Sequence, residues 1–291
     1  MIRVIPGPDN GRYPHGNSLI VQGTSETILI DPSLTIAADP PPGIDRVLIS
    51  HGHEDHLAGL FQYPRASVHV HRHDHLGLLS LDGLMTIYGL PPAIDAAWRR
   101  DVVEKYFYVP RADALAFDDG DGFDVGGATV RAIHLPGHTR GHSGFLIEPD
   151  GVMFLADVDL TGFGPYYGDA WSSIDDFERS IQRCREIDAG TFVTFHHKGT
   201  VHGRAELLAL LDTYEAVIAR REQAMLKFLI EPRTVDEMVA HRFIYRPHVT
   251  LLFADAVERR SAELHLERFL LRGLVTQPDP GLYAVSPTLQ L

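Results

Sequence analysis

Ser50-His51-Gly52-His53-Glu54-Asp55-His56-Leu57-Ala58-Gly59 is the stretch that decides how this chain is read, because it brings four metal-ligating side chains within six residues. The apolar run Arg46-Val47-Leu48-Ile49 leads straight into it and reads as a buried strand that ends at the imidazoles. A short helix is expected to begin near Asp55. Imidazole suits zinc, iron or manganese, and carboxylate favours the harder ions of that group. His51 and His53, two residues apart in an extended turn, can reach one ion together. Asp55 and His56 point elsewhere, so a second ion nearby is the economical expectation. A His-rich surface turn is the alternative, although 17 histidines in 291 residues make this arrangement rare by chance.

Three later segments repeat the design of a β-like run that ends in a ligand-type residue. They are Ala132-Ile133-His134-Leu135-Pro136-Gly137-His138-Thr139-Arg140-Gly141-His142-Ser143, Val152-Met153-Phe154-Leu155-Ala156-Asp157-Val158-Asp159, and Thr191-Phe192-Val193-Thr194-Phe195-His196-His197-Lys198-Gly199. Ligands at strand termini are held by a rigid sheet while the adjoining loops leave substrate access. A fourth His-rich run, His69-Val70-His71-Arg72-His73-Asp74-His75, lacks the flanking ligands of the first and is read mainly as a strand end.

Taken in order, these segments resemble the metallo-β-lactamase-fold hydrolase superfamily, in its glyoxalase II and lactonase-like branch. The His-x-His-x-Asp-His pattern stands at residues 51–56 and the Gly-His-Thr-x-Gly-His-Ser element at 137–143. Asp157 ends its strand, a final His follows the strand at 191–195, and the resemblance spans about residues 1–202. It implies an α+β fold, a four-layer αβ/βα sandwich with a dinuclear site on one edge. It further implies that His51, His53 and His138 hold one ion, that Asp55, His56 and the final His hold the other, and that Asp157 bridges. Two neighbours compete for the final position. His197, followed by Lys198-Gly199, fits the family pattern better, whereas His196 immediately ends the strand. Asp31 in Leu29-Ile30-Asp31-Pro32 matches a carboxylate the family keeps after an early strand, where it would buttress a ligand imidazole.

The remainder of the chain divides into a catalytic part, residues 1–204, and a C-terminal region, 205–291. Short strands are expected at Arg3–Ile5, Ser18–Gln22, Thr27–Ile30, Val47–Ile49, Ser67–His71, Ala114–Phe117, Thr129–Leu135, Gly144–Ile147, Val152–Leu155 and Thr191–Phe195, punctuated by Gly, Pro and Asn. Residues 77–109, rich in Leu, Met, Ile, Trp, Tyr and Phe, read as an inserted cap or lid. Helical periodicity is expected over Ile174–Ile187, with Ser172 or Ser173 as cap, and over Glu206–Phe228, Val235–His241 and Asp255–Arg272. Gly273 to Val285 then looks like a small hairpin, so the C-terminal region reads as a helical, winged-helix-like appendage suited to packing or to homodimer formation.

Composition narrows the functions. A formal charge of −13 disfavours nucleic acid as a general partner. The longest apolar runs are too short to span a bilayer, and the first twenty residues carry no secretory pattern, so a cytoplasmic location is expected. The lone Cys184 excludes an internal disulfide and reads as a buried structural thiol.

The expected activity is dinuclear metal-dependent hydrolysis of a small carbonyl substrate, a thioester or a lactone. Two divalent ions, zinc ahead of iron or manganese, would hold a water that loses its proton near neutral pH and is placed for attack. Asp55 could move protons besides ligating. Tyr166 or Tyr167, in the Gly-rich loop after Asp157, could donate to a developing oxyanion. An iron-dependent persulfide dioxygenase on the same scaffold is the alternative, and a nuclease is a weaker one.

Overall fold

Period-two alternation along the strands divides the apolar residues between two faces, and that division builds the layers. The computed structural model describes residues 1–287. Its first sheet runs in sequence order through β1 (Ile2–Ile5), β2 (Ser18–Gln22), β3 (Thr27–Ile30), β4 (Arg46–Ile49), β5 (Ser67–His71) and β6 (Leu115–Phe117). Its first two pairings are antiparallel and the last three parallel. The second sheet joins β7 (Gly122–Asp124), β8 (Thr129–His134), β9 (Ser143–Glu148), β10 (Val152–Ala156), β11 (Thr191–Thr194) and β12 (Thr200–His202), with only β10 and β11 parallel.

Along β3 and β4, Ile28, Ile30 and Leu48 face the second sheet, where they meet Phe145, Phe154 and Val193. Leu29, Val47 and Ile49 point outward into a cluster with Leu84, Trp98 and Val102. On the other side Met153, Leu155 and Phe192 pack against Phe177 and Ile181 of the Ile174–Glu186 helix and Leu207 and Leu211 of the Arg204–Phe228 helix. The result is the expected αβ/βα sandwich. Ser173 caps the Ile174–Glu186 helix by accepting the Asp176 N–H. Cys184, a buried residue of that helix, belongs to the same outer cluster.

Two strands were not anticipated. β7 emerges from the Asp118–Gly122 turn, and β12 follows the His196–Gly199 turn; both are three residues long, too short to carry an alternation signal. Residues 77–109 supply the Leu81–Tyr88 and Pro92–Glu104 helices. They pack onto the first sheet: Tyr88, Trp98, Tyr106 and Tyr108 belong to the same apolar cluster as its outer face.

The Arg204–Phe228 helix is shared between two cores. Leu207, Leu211 and Ile218 lie under the second sheet, while Met225 joins Met238, Leu266 and Phe269 in a C-terminal cluster. There the Val235–His241 and Ala254–Leu271 helices are followed by a two-stranded antiparallel sheet, β13 (Val275–Thr276) with β14 (Ala284–Val285). A capping box at Thr234 and Glu237 opens the shorter helix. Among the described residues no helix is long and apolar enough to cross a membrane.

Phe154 is fully buried between the sheets. Phe154→Ala is expected to lower the unfolding free energy by about 3–5 kcal/mol, read from equilibrium urea denaturation. A change no larger than that of a surface substitution would refute this account of the inter-sheet core.

Candidate metal centre

Parallel strands end on one edge of the sandwich, and the ligand-type residues follow those ends. β4 runs out at Ile49 and the chain turns through His51 and His53 into the Glu54–Leu57 helix, which carries Asp55 and His56. Asp157 follows β10, and Phe195 and His196 follow β11. His138 lies in the loop between β8 and β9. That loop requires its glycines. Gly137 has φ 129°, and a Cβ there would come within 2.4 Å of the Phe177 backbone; a Cβ on Gly141 would lie 2.6 Å from the Asp74 carboxyl carbon.

Ring nitrogens and carboxylate oxygens converge here. His138 Nε2 lies 3.1 Å from both His51 Nε2 and His53 Nδ1. Asp157 reaches both sides of the cluster, with Oδ1 3.1 Å from His56 Nε2 and Oδ2 3.3 Å from His138 Nε2. His196 Nε2 lies 3.0 Å from Asp55 Oδ2 and 3.9 Å from Asp157 Oδ2. Three overlapping triads result: His51, His53 and His138; His51, His56 and Asp157; and Asp55, His56 and His196. His56 Nε2, Asp55 Oδ2 and Asp157 Oδ1 are buried without hydrogen-bond partners. Buried polar atoms seldom go unpartnered. Lone pairs aimed at a shared centre are what divalent cations need, so the donor set fits them.

The opposite nitrogen of each imidazole is engaged. His56 Nδ1 meets Asp31 Oδ2 at 2.8 Å, His53 Nε2 meets Asp169 Oδ2 at 2.7 Å, and His51 Nδ1 meets Ser50 Oγ at 3.0 Å. His138 Nδ1 faces the Tyr166 carbonyl at 3.0 Å and His196 Nδ1 the Gly11 carbonyl at 2.8 Å. Such partners fix ring orientation and tautomer. Backbone strain accompanies them: Asp31 and Ala156, the residue before Asp157, both have φ 48°.

Charge in the cluster is arranged for cations. Burial, and then the neighbouring imidazoles of His56 and His53, hold His51 well below the usual histidine range. Burial and His53 do the same to His138. Burial also acts to lower His53 and His196, yet Asp169 raises the first to about 9 and Asp157 with Asp55 raises the second to about 9. Asp157 itself, despite burial, is held well below the carboxylate range by His56 and His196. The carboxylates thus draw positive charge to the centre.

Of the two candidates for the last position, His196 turns into the cluster and His197 does not. His197 has φ 59°, which swings its exposed side chain towards the pocket rim. Tyr166 lines the pocket beside His138, with ring centroids 5.4 Å apart. Tyr167 does not: it is buried against the C-terminal helix, its hydroxyl 3.0 Å from His265 Nε2. His142 binds no triad; its Nε2 accepts the Asp157 N–H and its Nδ1 faces the Leu135 carbonyl. The His69–His75 run also stays out of the triads. His71 stacks on His134, and His69 Nε2 lies 3.0 Å from Arg46.

Two residues were missed as site residues in the sequence. Asp74 accepts from Gly52 N–H, Gly141 N–H and Thr139 Oγ1, at 3.1, 2.7 and 2.5 Å, and so ties the His51–His56 loop to the His138 loop. Asp169 orients His53 from a loop more than a hundred residues away, which no local pattern signals.

The centre opens into a cavity of about 230 Å³. On its floor Glu54 accepts hydrogen bonds from the hydroxyls of Tyr88 and Tyr13. Burial, reinforced by Asp55, raises Glu54 to about 7.

The scaffold and the centre define one class of protein. The profile of the Metallo-beta-lactamase superfamily matches residues 12–197, and the chain belongs to that superfamily. Among curated relatives, an atrochrysone carboxyl ACP thioesterase of Pseudocercospora fijiensis is 28% identical over 78% of this chain and 56% of its own length. A second protein of that description, from Cryptosporiopsis sp., is 27% identical over 92% of this chain and 76% of its own length. A hydroxyacylglutathione hydrolase of Methylococcus capsulatus is 34% identical over 39% of this chain and 43% of its own. The chain spans about half the length of several of these relatives. Among solved structures, a metallo-beta-lactamase family protein of Thermus thermophilus superposes with a TM-score of 0.72 at 25% identity, covering 98% of each chain.

Asp31→Ala and Asp74→Ala leave every residue of the triads in place but free the loops that carry them. Each is expected to weaken divalent-metal affinity by roughly 10- to 100-fold, measured by competition with a chromophoric chelator. Affinity equal to that of the unaltered protein would refute their orienting role.

Proposed function

We propose that this protein is a dinuclear metal-dependent thioesterase acting on acyl groups presented by a carrier protein. The observation that carries the reading is the pairing of the His51/His53/His138 and Asp55/His56/His196 triads around Asp157, at the floor of an aromatic pocket. The names of the fungal relatives support thioester chemistry and an acyl carrier as its source.

When bound, divalent ions supply Lewis acidity towards a thioester carbonyl and acidify water. The chain's own side chains do the rest. Asp55 and Asp157 orient the site and balance its charge. Leu90 and Trp98 give the pocket an apolar lining. Burial, with Asp169 adding to it, raises the Tyr166 phenol well above its ordinary range, so it remains a neutral donor at physiological pH. Such a donor suits the oxygen on which negative charge develops.

Elemental analysis should return two divalent ions per chain, one for each of the His51/His53/His138 and Asp55/His56/His196 triads. His196→Ala should lose one of them, whereas His197→Ala should keep both. Tyr166→Phe should lower kcat for an acyl thioester by about 10²-fold with little change in KM. A single iron per chain, or no thioester turnover by the metal-replete protein, would overturn the proposal.

A further inference from the structure

The pocket has a wall that neither sheet nor the 77–109 helices supply. Tyr245, Leu251 and Phe253 line it from the segment 242–253, which joins the Val235–His241 and Ala254–Leu271 helices and has no regular structure of its own. A segment without a hydrogen-bond ladder needs another fixed point, and Glu258 provides it. Its carboxylate, 1% exposed, accepts the N–H groups of Phe243, Ile244 and Tyr245 at 2.9, 3.0 and 2.7 Å. Charge-assisted bonds of this kind are among the strongest available to backbone amides. Arg242, at φ 65°, turns the chain into the segment and donates to the Val249 carbonyl and to Asp255.

Held this way, Tyr245 meets Phe163 with ring centroids 5.7 Å apart, and Phe253 meets Trp98 at 5.2 Å and Tyr13 at 6.4 Å. Aromatic faces and edges thus surround the space above the centre. Among the described residues no lysine or arginine lines that space, whereas Glu54, Asp159 and Asp169 do, in addition to Asp55 and Asp157. An anionic group on the acyl portion, held away from the metal centre, would find no lysine or arginine there to offset its desolvation. An uncharged ring would meet partners that favour offset and edge contacts.

We infer that the 242–253 segment, positioned by Glu258, is a specificity wall that selects an uncharged aromatic acyl group and rejects one bearing a remote carboxylate or phosphate. The inference rests on the thioesterase reading for its substrate but not for its binding test. Glu258 is a positioning residue: it touches no part of the pocket and acts through Tyr245 and its neighbours.

Calorimetric titration of the metal-replete protein with 2-naphthamide and with 6-carboxy-2-naphthamide measures the wall without turnover. The neutral amide should bind at least about tenfold tighter. Phe253→Ala should weaken its binding roughly five- to tenfold. Leu251→Ala, at a more exposed position, should weaken it less and guards against a folding defect. In kinetics, Glu258→Ala should raise KM for a 2-naphthoyl thioester while leaving kcat/KM for the acetyl thioester within about twofold, and Glu258→Gln should restore part of the loss. A purely structural role would affect both substrates alike. Equal binding of the two amides, or unchanged binding in Phe253→Ala and Leu251→Ala alike, would overturn the wall even if thioesters are hydrolysed. Selective amide binding without thioester turnover would uphold the wall and overturn the thioesterase reading instead.

Discussion

Asp55, buried, and Asp157, largely buried, face a ring of imidazoles and impose the constraint on which the rest of the structure depends. Buried charge is tolerated only when it is paired and hydrogen-bonded. The fold meets that demand by ending strands of both sheets at one edge, so that His51, His53 and His56 arrive from one sheet and His138 and His196 from the other. The left-handed backbone at Asp31 and Ala156 then becomes intelligible, because each turns the chain sharply where a strand must deliver its carboxylate. Asp74 locks the arrangement by bonding to loops from both sides.

How much of this was legible in the sequence follows from the range of the interactions. Where a side chain's position is set by its own strand or turn, the pattern suffices: the 51–56 cluster, the 137–143 loop and Asp157 all occupy the expected strand ends. The buttress at Asp31 was also legible, because it follows an early strand, and its carboxylate indeed meets His56. The failures are of orientation and of distance. His196 and His197 differ by one residue, and only the positive φ of His197 decides which ring turns inward. Tyr166 and Tyr167 are likewise adjacent, and the fate of Tyr167 depends on His265, almost a hundred residues downstream. Asp74 lies within a His-rich run whose imidazoles stay outside the triads, yet its carboxylate ties the two ligand loops together.

The C-terminal region shows the same limit. Its helices and its small sheet were legible from periodicity and turn residues, and they formed close to the expected positions. What no periodicity could convey is that the irregular stretch between two of those helices faces the pocket. Loops carry little local pattern, and their placement comes from long-range bonds such as those made by Glu258.

The division of the ligand set between the two sheets has a kinetic consequence. Each of the three triads draws residues from both halves of the sandwich, and the fully buried Phe145, Phe154 and Val193 lie between those halves. A loop that frayed on its own would free at most part of a triad. Separation of the halves, by contrast, breaks every triad at once. A bound ion therefore opposes that separation, and the metal-loaded protein is expected to unfold more slowly than the metal-free one.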